Sequence, residues 1–355
     1  MVERILERAR PVADREVGVR PPPRPRGPLS AHLLEHLLQA PHHVPPAPSG
    51  DDDPLWGDDA QLALYCCYEL HYRSFSGVDD GWEWEPSLLA LRRDLETGFE
   101  RRLEDEIGAV GSSGDIEADL RRTITGGNGP SLSAYLEERG TLDEMREFSI
   151  HRSAYQLKEA DPHTWAIPRL GGGPKAALIE IQLDEYGGGV EPAMHSSLFA
   201  RSMETLGLDS TYGAYLDRLP GTTLATTNVI SLFGLHRRRR GALIGHLAAF
   251  EATSVTPMTR YQGALRRLDV GPAAQEFYEV HVAADAHHEV VAFQHMAGGL
   301  ARAEPELTTD IVFGARAMML VEEHFARHLL ESWNGGTASL LPDPEAVVAS
   351  RGEGA

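Results

Sequence analysis

His281-Val282-Ala283-Ala284-Asp285-Ala286-His287-His288 is the stretch on which the reading of this chain turns. His281, Asp285 and His288 stand at i, i+4 and i+7. At about 100° per residue their side chains fall within roughly 60° of one another, on one stripe of one helix. Imidazole nitrogen with carboxylate oxygen suits iron, manganese or zinc better than calcium, and a helical bundle assembles such sites between facing helices. The same spacing also fits an amphipathic helix whose His and Asp face water, so donors from other helices have to decide the matter.

Upstream, Glu251 lies in Leu247-Ala248-Ala249-Phe250-Glu251-Ala252, where an unpaired carboxylate is expensive to bury. It reads as a further ligand or as the buried partner of an arginine. Glu185 and His195 are separated by Gly187-Gly188-Gly189 and Pro192. On one straight helix ten residues mean about 15 Å of rise and about 80° of offset. That is too far for a metal pair whose ions lie about 4 Å apart. The glycines and the proline permit a break that returns His195 toward Glu185.

The chain around these residues is patterned for helices. Apolar residues recur at helical spacing in Leu62, Leu64, Tyr65, Tyr68 and Leu70, and again in Leu88, Leu89, Leu91, Leu95 and Phe99. Strand-like alternation is scarce. Thr141-Leu142-Asp143-Glu144 has capping-box spacing and predicts a helix from Leu142 toward Leu157. Gly171-Gly172-Gly173-Pro174, Gly187-Gly188-Gly189 and Gly335-Gly336 act as stops. Between them the long uninterrupted segments are residues 175–186, 192–206, 222–255, 273–297 and 308–333. No repeat or phosphate-binding loop appears, and the glycine runs lack the strand-then-helix context of a nucleotide site.

The 355 residues, 42% of them apolar, suffice for one large core with an appended tail. Residues 1–53 carry Pro21, Pro22, Pro23, Pro25, Pro41, Pro45, Pro46 and Pro48, and read as a flexible Pro/Arg-rich tail with one short helix around Ala31 to Leu38. Residues 54–345 then form the helical domain. A formal net charge of −20 argues against nucleic-acid binding, which needs a basic face. The dense basic run, His236 to Arg240, reads as a solvated face or structural ion pairs, with an anionic-substrate contact as the sharper alternative. Arg239→Ala is therefore expected to be neutral for metal occupancy and oxygen reactivity. Adjacent Cys66 and Cys67 read as reduced thiols. With no stretch of about 18 apolar residues and no secretory leader, a cytoplasmic protein is expected.

Together these residues resemble the haem-oxygenase-like diiron oxidases and oxygenases, the iron-containing redox enzyme family. Glu185 with His195, then Glu251, then His281-x3-Asp285-x2-His288 follow in that family's order at similar separations. Leu157 to Trp165 and Pro168-Arg169-Leu170 look like the segment before its first ligand helix, and the likeness covers roughly residues 55–340. The resemblance implies an all-α, seven-helix haem-oxygenase-like bundle that holds two Fe2+ ions and no haem. It implies the ligands Glu185, His195, Glu251, His281, Asp285 and His288, with Glu159 matching an additional carboxylate found in some N-oxygenating members. It further implies dioxygen as co-substrate and a small organic substrate oxidised by N-oxygenation or C–C cleavage. An external reductant and a homodimer stay open.

Two rival readings remain. A haem-binding or haem-degrading protein of the same fold needs an axial histidine and a broad apolar slot. A non-catalytic metal-binding bundle takes up metal without consuming oxygen. Glu69 with His71, Glu322 with His324 and His328, and His246 read as solvated or supporting groups. His295, seven residues after His288, reads as a donor behind the ligands. Tyr186 and Tyr278 read as core residues near the site.

Overall fold

A computed structural model describes residues 19–48, 50–127 and 129–343; the side chains of Asp285 and Ala286 lie outside the described residues. The expected all-α architecture is observed, with no strand among the described residues. The helices are α1 (Pro28–Leu37), α2 (Asp58–Glu69), α3 (Pro86–Ile107), α4 (Ile116–Thr125), α5 (Leu132–Glu138), α6 (Leu142–Gln156) and the single turn α7 (Asp161–Thr164). They continue with α8 (Gly172–Glu185), α9 (His195–Thr205), α10 (Gly221–Leu235), α11 (Arg240–Arg267), α12 (Pro272–Val290), α13 (Gly298–Ala303) and α14 (Thr308–Asn334).

Helix α11 is the axis of the bundle, packed along α14 on one side and α12 on another. Small residues allow the first contact. A Cβ on Gly245 would fall 1.8 Å from the Ile311 carbonyl oxygen, and one on Gly314 would fall 1.9 Å from that of Ala242. The two backbones therefore touch, and only glycine fits at either crossing point. Leu243, Ile244, Leu247, Ile311, Val312 and Ala315 fill the core on both sides of that seam. Further along α11, Pro257 removes the helical bond to the Thr253 carbonyl, a turn and a half beyond Glu251.

The expected helix start at Thr141 is present in full. The Thr141 hydroxyl accepts from the Glu144 amide at 3.2 Å, and the Glu144 carboxylate accepts from the Thr141 amide at 2.7 Å. Of the tail expected over 1–53, residues 1–18 lie outside the described residues. The remainder packs on the body. Asp59 of α2 accepts from the amides of Leu29 and Ser30 at 2.8 Å, capping α1 from outside. Leu33, Leu34 and Leu37 are then buried against Leu62, Ala63 and Cys66. The short helix expected around Ala31 is this one.

The segment expected to run unbroken over 222–255 is divided. His236 adopts an extended conformation, and Arg237–Arg239 form a 3-10 turn. The basic run causes the break through structural ion pairs. Arg238 and Arg239 each reach Glu100 at 2.6 Å, and Arg239 also binds Asp310 at 3.1 Å. Asp310 accepts in addition from the Ala242 amide at 2.8 Å, so it caps the start of α11.

Candidate metal centre

Five separate stretches deliver carboxylates and imidazoles to one buried place. Glu159 follows α6 in a turn where Ala160 takes a left-handed conformation (φ 73°). Gln182 of α8 holds that turn, donating to the Ala160 carbonyl at 2.9 Å and to the Thr164 hydroxyl at 2.6 Å. Tyr186 joins the same network through Asp161 at 2.8 Å and Thr164 at 2.9 Å, which is its role here. Glu185 ends α8 and His195 begins α9.

The intervening glycines make the break that the sequence permits. A Cβ on Gly187, whose φ is +61°, would fall 2.4 Å from the Ala193 carbonyl carbon and 2.5 Å from the Met194 amide nitrogen. The chain thus folds onto itself at backbone contact, and His195 Nδ1 lies 2.9 Å from Glu185 Oε2. The ten-residue separation along the chain collapses to one contact.

His281 on α12 completes this half. Its Nδ1 donates to the Phe277 carbonyl at 2.8 Å, which leaves the Nε2 lone pair facing inward. That nitrogen stands 3.1 Å from His195 Nδ1 and 3.6 Å from Glu159 Oε1. On the other side, His288 Nδ1 stands 3.3 Å from Glu251 Oε2 of α11. His288 Nε2 points the opposite way, to Asp184 at 3.0 Å.

Two convergent donor groups result: Glu159, Glu185, His195 and His281 form one, and Glu185, Glu251 and His288 the other. Within each group the ligand atoms lie within 4.8 Å of one another, and Glu185 belongs to both. All six residues are buried, with the three glutamates at 4, 7 and 5% exposure. Such burial is costly for carboxylates, and the ion pairs seen for these three are with the histidines. Burial lifts the Glu159 carboxyl above its ordinary range, against the pull of His281. Burial, with the carboxylates of Glu159, Glu185 and Glu251, holds the Tyr155 phenol well above its own. A site of this acidity, lined with oxygen and nitrogen donors, fits cations of the iron, manganese or zinc type. Asp285 shares the helix with His281 and His288; its side chain is outside the described residues.

The remaining sequence candidates lie elsewhere. Glu69 binds Lys158 at 2.9 Å and Tyr212; His71 binds Glu83 at 3.1 Å. Glu322 is forked by Arg152 at 2.8 and 2.6 Å, His324 stacks on Trp56 at 4.0 Å, and His328 meets the Ser339 carbonyl at 2.7 Å. His246 pairs with His163 at 3.3 Å, and both are held neutral by burial, His246 at a pKa of about 3. His295 does not stand behind the ligands. Residues 291–297 form a π-helical turn, which shifts the phase of the helix, and His295 emerges exposed. Asp184 went unnoticed in the sequence, although two consecutive acids at the end of an apolar helix are a signal for it.

An all-helical bundle with buried carboxylates and histidines at its centre is the architecture of a metal-dependent helical oxidoreductase. The sequence profile of the iron-containing redox enzymes matches residues 146–323, half of the chain and the whole span of the candidate ligands. The chain belongs to that family. It is 24% identical over 214 residues to the nitrosourea synthase of Streptomyces achromogenes subsp. streptozoticus, a stretch covering 58% of this chain and 45% of that enzyme. The chain thus matches less than half the length of that relative. The crystal structure of a CADD-like protein of unknown function from Nostoc punctiforme PCC 73102 superimposes with a TM-score of 0.50 at 15% identity. That superposition covers 61% of this chain and 97% of the other, a likeness of fold alone.

Proposed function

We propose that this iron-containing redox enzyme is a non-haem diiron oxidase or oxygenase that uses dioxygen to oxidise a small organic substrate. The observation that carries the reading is the sharing of Glu185 between two donor groups, because a carboxylate with a neighbour set on each side suits two ions better than one. Glu159, Glu185, His195 and His281 would hold one iron; Glu185, Glu251 and His288 would hold the other. Asp285 is assigned to the same set from its place on the stripe between His281 and His288.

Two ferrous ions, when bound, supply the electrons and the open positions that dioxygen requires. The residues of the chain do the rest. The Phe277 carbonyl and the Asp184 carboxylate each take one N–H of a ligand histidine, fixing which nitrogen faces the centre. Tyr155, Leu247 and Phe250 line the small space beside the donors and keep bulk water from it. Among the two reaction types, N-oxygenation and oxidative C–C cleavage, the nitrosourea synthase relative supports the first. A small-molecule substrate and an external reductant are the partners of this reading. Among the described residues no helix is long and apolar enough to cross a membrane. A cytoplasmic setting belongs to the same proposal, in which Cys66 and Cys67 are buried reduced thiols.

The test is anaerobic loading with ferrous ion followed by mixing with oxygenated buffer. Oxygen uptake in proportion to bound iron, abolished in Glu185→Ala, is expected; iron uptake with no oxygen consumption, with or without reductant, would overturn the reading.

A further inference from the structure

On the outer edge of α1, away from the candidate metal centre, three imidazoles come together. His32 and His36 stand at i and i+4 on one face of the helix, and their ring centroids are 4.7 Å apart. His42 returns to them on the loop after α1. Its Nε2 lies 2.8 Å from His36 Nδ1, with the two rings 5.0 Å apart. All three are partly exposed, so an ion from solvent can reach them.

The ring protons are placed as coordination requires. His42 Nδ1 donates to the Ala40 carbonyl at 2.8 Å, and His32 Nε2 to the Pro45 carbonyl at 3.0 Å. A carbonyl oxygen only accepts, so each neutral ring keeps its proton on the nitrogen held by the backbone and offers the other as a lone pair. A carbonyl behind the ring is the usual support of a metal-binding histidine. Burial first, and then His32 and His42, lower the pKa of His36 below its ordinary value, which favours the neutral form that ligates.

His195 and His281 at the candidate metal centre are built in the same way, with facing nitrogens 3.1 Å apart and the Phe277 carbonyl behind one ring. Two imidazoles on one tetrahedral ion, with bonds of about 2.0–2.1 Å, hold their nitrogens about 3.3 Å apart. His36 and His42 reach that separation by opening about 0.5 Å, while the proton between them moves to His36 Nε2. The frame around them is firm. Leu33, Leu34 and Leu37 bury the inner face of α1. The wholly buried Trp82 pins the loop, donating from its indole to the Gln39 carbonyl at 2.9 Å and standing edge-on to His42 at 5.2 Å.

We infer that His36 and His42, with His32 beside them as third ligand, bind one divalent cation of the zinc type and so clamp α1 to the loop that follows it. Imidazole donors favour zinc, nickel or copper over magnesium and calcium, and water completes the coordination. The bound ion ties the described part of the Pro/Arg-rich segment to itself at its exposed edge, opposite the leucines that hold it to the body. The site is separate from the candidate iron centre and stands whether or not that centre holds two irons.

Zinc uptake by the full-length chain, measured by equilibrium dialysis, tests it. The wild-type chain should bind about one zinc more than His36→Ala or His42→Ala, with circular dichroism reporting the helical content of each. His32→Ala should weaken that zinc at least about tenfold, since even a group behind a ligand is worth as much. Hydrogen exchange of the wild-type chain supplies a readout that needs no variant: zinc should raise protection across residues 28–46, and the rise should vanish in His42→Ala. Equal zinc counts in wild type, His36→Ala and His42→Ala, a zinc affinity unmoved by His32→Ala, or exchange across residues 28–46 unchanged by zinc would each overturn the inference.

Discussion

Asp184 accepts a hydrogen bond from His288 Nε2 at 3.0 Å, and this contact decides which nitrogen of His288 faces Glu251. An ionised carboxylate only accepts, so the proton resides on Nε2 and the Nδ1 lone pair is turned to the centre. Asp184 is half exposed, at 56%, and contributes little to the core. Asp184→Ala should therefore leave helical content and thermal stability nearly unchanged while weakening iron binding about 10–100-fold. A ferrous titration checks this; unchanged affinity would show that His288 is oriented without it.

Gly187→Ala is expected to damage the site from outside it. The added methyl meets the backbone of Ala193 and Met194, which cannot yield as a side-chain tip does. The turn must open, and His195 moves away from Glu185. Lower melting temperature, by at least the equivalent of about 1–3 kcal/mol, together with reduced iron occupancy is the expected result. Gly188, around which the structure leaves open space for a Cβ, is the comparison; Gly188→Ala carries only the backbone strain of its φ of +64°.

Buried histidines make the fold sensitive to mild acid. Burial lowers His151 and His163 well below the ordinary value of 6.5, and His246 to about 3. Folded-state values below the unfolded one mean that the unfolded chain binds more protons as pH falls. The stabilisation is thus complete above about pH 6.5 and is lost as pH drops toward the folded-state values, by about 1.4 kcal/mol per pH unit for each such group. Thermal melts of the metal-free protein between pH 8 and pH 5 should show the decline, and His246→Gln should make it shallower. A flat profile would indicate that protonated imidazoles are accommodated.

His281→Ala, Asp285→Ala and His288→Ala should each cut iron occupancy and oxygen reactivity and keep most of the helical content. Retention of reactivity in all three would refute the assignment. Arg239→Ala separates stability from the site. Its pairs with Glu100 and Asp310 tie α3 and α14 to the start of α11, so the variant should melt earlier while iron occupancy stays the same. Neutral for iron and oxygen, it remains the control for the three ligand variants. Hydrogen exchange should also show protection across residues 278–297 rising when ferrous ion is added, since coordination and ordering are coupled.

The sequence revealed those parts of the fold and site that depend on local periodicity. The stripe of His281 and His288, the capping box at Thr141 and the glycine break after Glu185 are all short-range patterns, and each is found where spacing predicts it. What escaped notice depends on partners far along the chain. The 222–255 segment breaks because Glu100 and Asp310, more than seventy residues away from Arg239 in each direction, hold the arginines. Likewise α1 packs because Asp59 caps it and its leucines find α2, which proline content does not foretell. His295 leaves the ligand stripe because the helix widens to a π turn, and a constant 100° step has no knowledge of that. The sharing of Glu185 between donor groups is likewise a property of the assembled bundle.

That sharing is most directly tested by counting iron. After anaerobic reconstitution and removal of loosely bound metal, the wild-type chain should plateau at about two irons, Glu251→Ala at about one, and Glu185→Ala below either. A wild-type plateau at one iron that Glu251→Ala does not alter would contradict the dinuclear centre.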